Sequence, residues 1–193
     1  MELHTTVTGF FHDAVTTALR SQSVTAAEPT EFYLVNLLAD FTKATRIDEE
    51  PLALQLAKLS GATPEAKIKG LKHIGDTSLY VSGFFADSLT RRLVDVDYYI
   101  AMGGSAYDQL AGLMAVSRTS AGDFFRAAYS ELAAKFQTFV QVLGEVRRNT
   151  NFTGGQNLLR LCEEWVRTGN EWLAKRLRDT GVVALPVGER QKN

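Results

Sequence analysis

Three side chains that could bind a ligand or transfer a proton follow one another along a predicted helix. His73 is followed by Asp76 three residues later, and Tyr80 lies four residues beyond Asp76. Residues three or four apart share one side of an α-helix, so all three can lie along the same edge. An imidazole beside a carboxylate could serve as a general acid–base pair, and the same groups could instead hold a polar ligand.

Tyrosines and glycines concentrate in the same part of the chain, where four of the six tyrosines lie. A tight turn near Arg92 would fold about residues 64–117 into an antiparallel helical hairpin, with Gly83 opposite Gly103. Glycine inside a helix costs about 1 kcal/mol relative to alanine, so several of them require a reason. Either the two backbones touch, which we favour, or the missing side chains leave room for a ring or an acyl chain.

The polar groups of this hairpin admit three interpretations. The first and favoured one is a structural network that fixes the helix register, because an unpaired buried polar group costs about 1–3 kcal/mol. The second is a ligand pocket between the helices. Its predicted lining residues are His73, Asp76, Tyr80, Tyr99, Met102 and Tyr107. The third is acid–base catalysis by His73 and Asp76.

Common catalytic and metal-binding signatures are missing from the sequence. There is no Glu-x-x-His pair for a di-iron bundle, and neither His-Glu-x-x-His nor Cys-x-x-Cys occurs. A phosphate-binding loop and a Gly-x-Ser-x-Gly motif are also missing. The single cysteine, Cys162, falls on an apolar stripe near Trp165, which is typical of a buried, inert thiol. We therefore predict no metal, no cofactor and no catalytic residue.

Apolar residues recur at helical spacing along most of the chain, and no alternating strand pattern is found. Predicted N-caps include Thr30, Thr63, Asp95 or Asp97, and Ser120. The predicted helices cover about residues 5–21, 31–44, 51–60, 64–91, 95–117, 120–148 and 156–180. The sequence thus predicts an all-α, single-domain bundle of six or seven helices around the glycine-rich hairpin. The domain covers residues 1–181, and residues 182–193 form a tail.

Charge and hydropathy exclude several classes of protein. The net charge of −1 argues against a general nucleic-acid binder, which must neutralise phosphates. Residues 1–146 carry 12 Lys+Arg and 17 Asp+Glu, whereas residues 147–193 carry 9 and 5, so the net charges are −5 and +4. The basic part is either a solvated surface or a contact for an acidic partner. No apolar run approaches the roughly 20 residues of a membrane span, and no signal peptide is apparent, so we predict a cytoplasmic protein.

The segments GDTSLYVSGFF (75–85) and DYYIAMGGSAY (97–107) resemble a motif pair in uncharacterised bacterial proteins, and this resemblance implies no activity. Broad apolar faces on nearly every helix, together with the missing catalytic motifs, predict a non-enzymatic interaction or regulatory protein. Its expected partner is itself or another protein. The alternative is a small-molecule-binding bundle, or an enzyme that acts on a hydrophobic ligand in the hairpin seam.

Overall fold

A computed structural model describes residues 7–41, 50–86, 95–115 and 119–150 of the chain. These residues form seven α-helices, their connecting loops and no strand. The helices are α1 (Val7–Ser21), α2 (Glu28–Phe41), α3 (Leu52–Lys58), α4 (Pro64–Phe84), α5 (Val96–Met114), α6 (Ser120–Ala134) and α7 (Phe136–Asn149). The predicted all-α bundle is confirmed. None of the helices in these segments is long and apolar enough to cross a bilayer. The predicted turn near Arg92, the helix at 156–180 with Cys162, and the tail lie outside the described residues.

Side-chain caps begin three of the helices. Thr63 Oγ1 accepts a hydrogen bond from the Ala66 amide at 3.3 Å and starts α4. Asp95 Oδ1 accepts one from the Tyr98 amide at 3.0 Å and starts α5. Both caps were predicted. The cap of α6 is Thr119, one residue before the predicted position, because its extended backbone directs the hydroxyl at the free amides of the first turn.

The start of α2 differs from the prediction. The helix begins at Glu28, and the buried Thr30 donates a hydrogen bond from Oγ1 to Glu131 Oε2 on α6 at 2.6 Å. The Ala27 amide donates to the same oxygen at 2.9 Å. Burial alone would raise the pKa of Glu131, but hydrogen bonds from Lys135, Thr30 and Ala27 outweigh it and lower the pKa. A carboxylate from a distant helix therefore fills the capping role that we assigned to Thr30.

The segment predicted as one helix over 120–148 is two helices. Helices α6 and α7 meet at Lys135, whose backbone lies at φ −118° and ψ 27°. Apolar periodicity continues through the break, so the sequence pattern did not reveal it. Lys135 Nζ donates to Glu131 Oε1 at 2.8 Å and to the carbonyl of Thr25 at 3.1 Å, and so ties the break to the loop that precedes α2.

Helix α4 lies at the centre of the described bundle. Every residue from Ile74 to Phe84 is buried, and its most extensive packing is against α5 and then α7. The polar side chains of a helix buried on all sides can find partners only inside the protein. Two hydroxyls of α4, those of Thr77 and Ser78, are buried without a hydrogen-bond partner in the described part of the chain. Ser82 uses its own helix, since its Oγ donates to the carbonyl of Ser78 at 2.6 Å. The Asp76 carboxylate accepts hydrogen bonds from side chains of other helices, which makes it the first candidate for a functional site.

Candidate functional site

The carboxylate of Asp76 is the polar centre of the bundle. Asp76 Oδ1 accepts hydrogen bonds from Tyr33 Oη at 2.5 Å and from Tyr107 Oη at 2.8 Å. Its Oδ2 accepts one from Lys72 Nζ at 2.5 Å. The Asp76 side chain is only 12% exposed, whereas the Lys72 side chain is 45% exposed. The ion pair therefore joins a buried carboxylate to an ammonium group near the surface, and the two tyrosines tie α2 and α5 to α4.

Three tyrosine rings pack around this carboxylate. Tyr33 meets Tyr129 edge-to-face with ring centroids 5.2 Å apart, and meets Tyr107 in the same way at 6.1 Å. Tyr107 and Tyr129 stack at 5.8 Å with their planes 18° apart. Such pairs contribute about 0.5–1.5 kcal/mol each beyond the burial of their area. Asp76, Tyr33, Tyr107 and Tyr129, which we call the tyrosine cluster, thus join α2, α4, α5 and α6.

The tyrosine hydroxyls of the cluster are held in their protonated form. Burial, and the negative charge of Asp76, raise the pKa of Tyr33 and Tyr107 well above the ordinary value. Burial likewise raises the pKa of Tyr129 to about 12. A catalytic base needs a pKa near the working pH, and a phenol with a raised pKa lacks that property. The hydroxyls of Tyr33 and Tyr107 act as hydrogen-bond donors to Asp76, and the cluster has the character of a structural network.

Two of the six predicted site residues, Asp76 and Tyr107, come together in this cluster. The His73 side chain is exposed, whereas the Asp76 carboxylate three residues further along α4 is buried. Tyr80 is buried but belongs to a separate aromatic stack, with its ring 4.1 Å from that of Phe41 and the planes 2° apart. The three polar side chains predicted to share one edge of α4 therefore lie in different surroundings. His73 is exposed, Asp76 is buried in the tyrosine cluster, and Tyr80 is buried in the separate aromatic stack.

The other two predicted site residues lie along α5. Tyr99 and Met102 are half-buried at the margin of the core, and the Tyr99 ring meets Tyr98 edge-to-face at 5.4 Å. The cluster instead contains Tyr33 and Tyr129, which sequence reasoning missed because they lie on distant segments without a local signal. Lys72 was missed as well, although its position four residues before Asp76 is a signal that helical spacing provides.

Side chains fill the space beside the glycines of α4 and α5. A β-carbon built at Gly75 would lie 2.5 Å from the ring of Tyr107. One built at Gly103 would collide with the ring of Phe136 on α7, and would lie 2.6 Å from Ser78 Cβ on α4. We expected either backbone contact or a guest molecule beside these glycines. The rings of Tyr107 and Phe136 occupy those positions.

A similar close approach occurs where α7 crosses α4. A β-carbon at Gly83 would lie 2.6 Å from Leu143 Cβ and 3.4 Å from the carbonyl oxygen of Val140. From the other side, a β-carbon at Gly144 would lie 3.6 Å from the carbonyl oxygen of Gly83. The two helices therefore pack backbone against side chain at this crossing. No space for a ligand is left beside Gly83.

Phenylalanine rings form an exposed patch on α2 and α6. Phe32 is 53% exposed, and Phe125 is also exposed. Phe124 lies between them and meets Phe32 edge-to-face at 5.8 Å and Phe125 at 5.6 Å. The Phe125 ring also stacks on the buried Tyr129 at 6.3 Å. Phe32, Phe124 and Phe125, which we call the phenylalanine patch, are thus the outward continuation of the tyrosine cluster.

Charges of both signs accompany the phenylalanine patch. Asp123 and Arg126 immediately flank the two phenylalanines of α6 in the sequence, and both side chains are exposed. Arg126 Nη2 lies 3.6 Å from Asp123 Oδ1. Exposed pairs of this kind contribute little to stability, about 0–1 kcal/mol, so both groups can take other partners at small cost.

Across the described segments, no group of three or more His, Cys, Asp or Glu side chains is arranged to hold a metal ion. In those segments the buried network around Asp76 is already hydrogen-bonded, whereas the aromatic patch is exposed. Comparisons of the chain with protein-family models, with curated proteins and with solved structures found no match.

Proposed function

We propose that the chain is a non-enzymatic, cytoplasmic interaction protein that self-associates through the phenylalanine patch. The observation that carries this proposal is Phe32, 53% exposed on α2 and in edge contact with Phe124 on α6. Contiguous exposed apolar groups mark interaction sites, and phenylalanine is enriched at the centres of protein interfaces. The single cysteine of the chain is in keeping with a reducing compartment.

A second copy of the chain is the partner that the charges beside the patch fit. In a two-fold dimer the same surface of each copy meets its counterpart. Asp123 and Arg126 offer opposite charges on one helix, so Arg126 of one copy can pair with Asp123 of the other. Charge complementarity of this kind at the margin of an interface fixes orientation and partner choice. The rings between these charges would supply the buried, apolar centre.

The interior of the bundle supports a non-catalytic role. Asp76 already accepts three hydrogen bonds, and its tyrosine partners remain protonated because their pKa values are raised. The space beside Gly75, Gly83 and Gly103 is filled by neighbouring side chains. The alternative of a hydrophobic ligand in the hairpin seam therefore gains no support from the packing.

Sedimentation velocity of the full chain over a range of concentrations tests the proposal. We expect the wild type to form a dimer as concentration rises, and the Phe32→Ser variant to stay monomeric. Leu54→Ser is the matched control, because Leu54 is 54% exposed but lies on α3, outside the patch. This control should dimerise as the wild type does. Circular dichroism melting curves of the variants show that both remain folded.

Two results would overturn the proposal. The first is a wild-type chain that stays monomeric throughout the concentration range. The second is an equal loss of self-association in Phe32→Ser and Leu54→Ser, which would place the interface away from the patch or make it a general effect of surface hydrophobicity.

A further inference from the structure

We infer that a groove between α3, α4 and α5 binds a single-chain amphiphile with an anionic head group, of the kind that a medium-chain fatty acid represents. The groove is about half open to solvent and has a volume of about 410 Å³. Its apolar lining comes from Leu56, Leu59, Leu71 and Leu113, with Lys67 and Gly112 among the remaining lining residues. This site is separate from the phenylalanine patch on α2 and α6, and does not depend on self-association.

The size and lining of the groove suit a small amphiphile. Ligand sites in proteins commonly have volumes of about 300–1,000 Å³ and combine an apolar lining with a few polar groups. Leucines from three helices line this groove, and the charged group that contributes to it is Lys67. An apolar chain against the leucines, with one anionic group at the lysine, matches this distribution of chemistry.

Two glycines give the groove its shape, in opposite ways. A β-carbon at Gly70 would lie 2.5 Å from Leu59 Cδ2, so this glycine lets the leucine settle against α4 as a wall of the groove. A β-carbon at Gly112 would meet nothing within 4 Å in the described part of the chain. A helical glycine costs about 1 kcal/mol, and Gly112 lacks the steric reason that Gly70 has. Its effect is to leave this side of the groove open.

Lys67 supplies the selectivity for an anion. Its side chain is half-buried, and no carboxylate of the described segments pairs with it. A lysine can lay its methylene stem along apolar surface while its ammonium group stays near water. A carboxylate at the end of an alkyl chain could reach this ammonium group while the chain contacts the leucines. An uncharged alcohol of the same length would lack that contact.

Isothermal titration of the full chain with sodium decanoate, below the concentration at which it forms micelles, tests this inference. We expect saturable binding at one site in the wild type, and at least tenfold weaker binding of decanol, a difference of about 1.4 kcal/mol. Lys67→Gln should weaken decanoate binding to the level of decanol. Gly112→Leu should abolish binding of both, because the added side chain fills the groove.

Gly112→Leu should fold, since leucine favours helix and the position is open. Its melting curve checks this, and Phe32→Ser serves as a second control that should bind decanoate normally. A failure of Phe32→Ser to self-associate bears only on the dimer proposal, so the two tests are distinguishable. Three results would overturn the groove: no saturable binding by the wild type, unchanged binding by folded Gly112→Leu, or equal affinity for decanoate and decanol.

Discussion

Two neighbouring aromatic residues of α2 occupy opposite environments. Tyr33 is 5% exposed and its hydroxyl donates to Asp76, whereas Phe32, the residue before it, is 53% exposed. A buried tyrosine needs a partner for its hydroxyl, and that need fixes where the ring can lie. A phenylalanine at the surface has no such requirement and leaves an apolar face in water. Composition alone would treat the two rings as equivalent.

The same division recurs on α6, where Tyr129 is buried in the tyrosine cluster and Phe125 is exposed on the patch. Helices α2 and α6 therefore contribute residues to both the tyrosine cluster and the phenylalanine patch. The tyrosine cluster connects α2, α4 and α5 through one carboxylate and α6 through ring contacts of Tyr129, and the phenylalanine patch continues from it into solvent. Within α2 and α6, the tyrosine rings are therefore held inside by the hydrogen bonds and ring contacts of the cluster, whereas the phenylalanine rings of the patch lie further out.

Removing the carboxylate of the tyrosine cluster should have the largest effect on the free energy of unfolding. Asp76→Ala leaves two buried tyrosine hydroxyls without their acceptor and Lys72 without its ion-pair partner. We expect the free energy of unfolding, measured by urea denaturation, to fall by about 2–6 kcal/mol, because each buried hydroxyl left without an acceptor costs about 1–3 kcal/mol. Phe32→Ser, in the phenylalanine patch, should change the free energy of unfolding by less than about 0.5 kcal/mol. Similar losses in the two variants would contradict the division between the groups.

Alkaline pH should weaken the tyrosine cluster but not the phenylalanine patch. The unfolded chain starts to lose tyrosine protons near pH 10, while raised pKa values keep Tyr33, Tyr107 and Tyr129 protonated in the folded state. The folded state then binds more protons, so its stability is complete below about pH 10 and falls above it. Each tyrosine should lower the free energy of unfolding by about 1 kcal/mol between about pH 10 and pH 11, because about half of the protons of the unfolded state are already lost at about pH 10.

Urea midpoints measured from about pH 8 to about pH 11 test this pH dependence. Tyr129→Phe should fall less steeply than the wild type, because one of the buried titrating groups is removed. A wild-type stability that stays constant across this range would mean that the cluster is open to water.

Alanine substitutions at two helical glycines should have smaller effects on stability, of opposite sign, because the space beside one glycine is filled and the space beside the other is open. Gly75→Ala forces a methyl group against the ring of Tyr107 and should cost about 1–3 kcal/mol. Gly112→Ala adds the same methyl group where nothing lies within 4 Å in the described segments, and should gain up to about 1 kcal/mol. Melting temperatures report both changes. Equal stabilisation by the two substitutions would contradict the packing of Tyr107 onto Gly75.

Local signals in the sequence predicted the helices and some of their starts. Thr63 and Asp95 cap as expected, because a cap depends on residues only three apart. Thr30 failed as a cap because the competing carboxylate, Glu131, comes from a helix about a hundred residues away. The break at Lys135 was invisible because the apolar period runs through it.

The site was only partly predictable for the same reason. The sequence marked Asp76 and Tyr107 as polar groups of a helical seam, but the third member of their hydrogen-bond network, Tyr33, is separated from Asp76 by 43 positions. From the helical glycines we favoured contact between the two backbones, whereas side chains lie beside Gly75 and Gly103. The glycines could not identify the side chains of Tyr107 and Phe136 that fill the space, since no local pattern encodes which ring arrives from another helix.

Photo-cross-linking from position 32 tests most directly whether the phenylalanine patch binds a second copy of the chain. A benzoylphenylalanine introduced there in the full chain should yield a covalent dimer, and mass spectrometry should place the attachment within residues 28–41 or 120–134 of the other copy. The same photoreactive residue at position 54 should yield little dimer. Monomer alone from position 32, or attachment to the chain's own residues 151–193, would contradict the account.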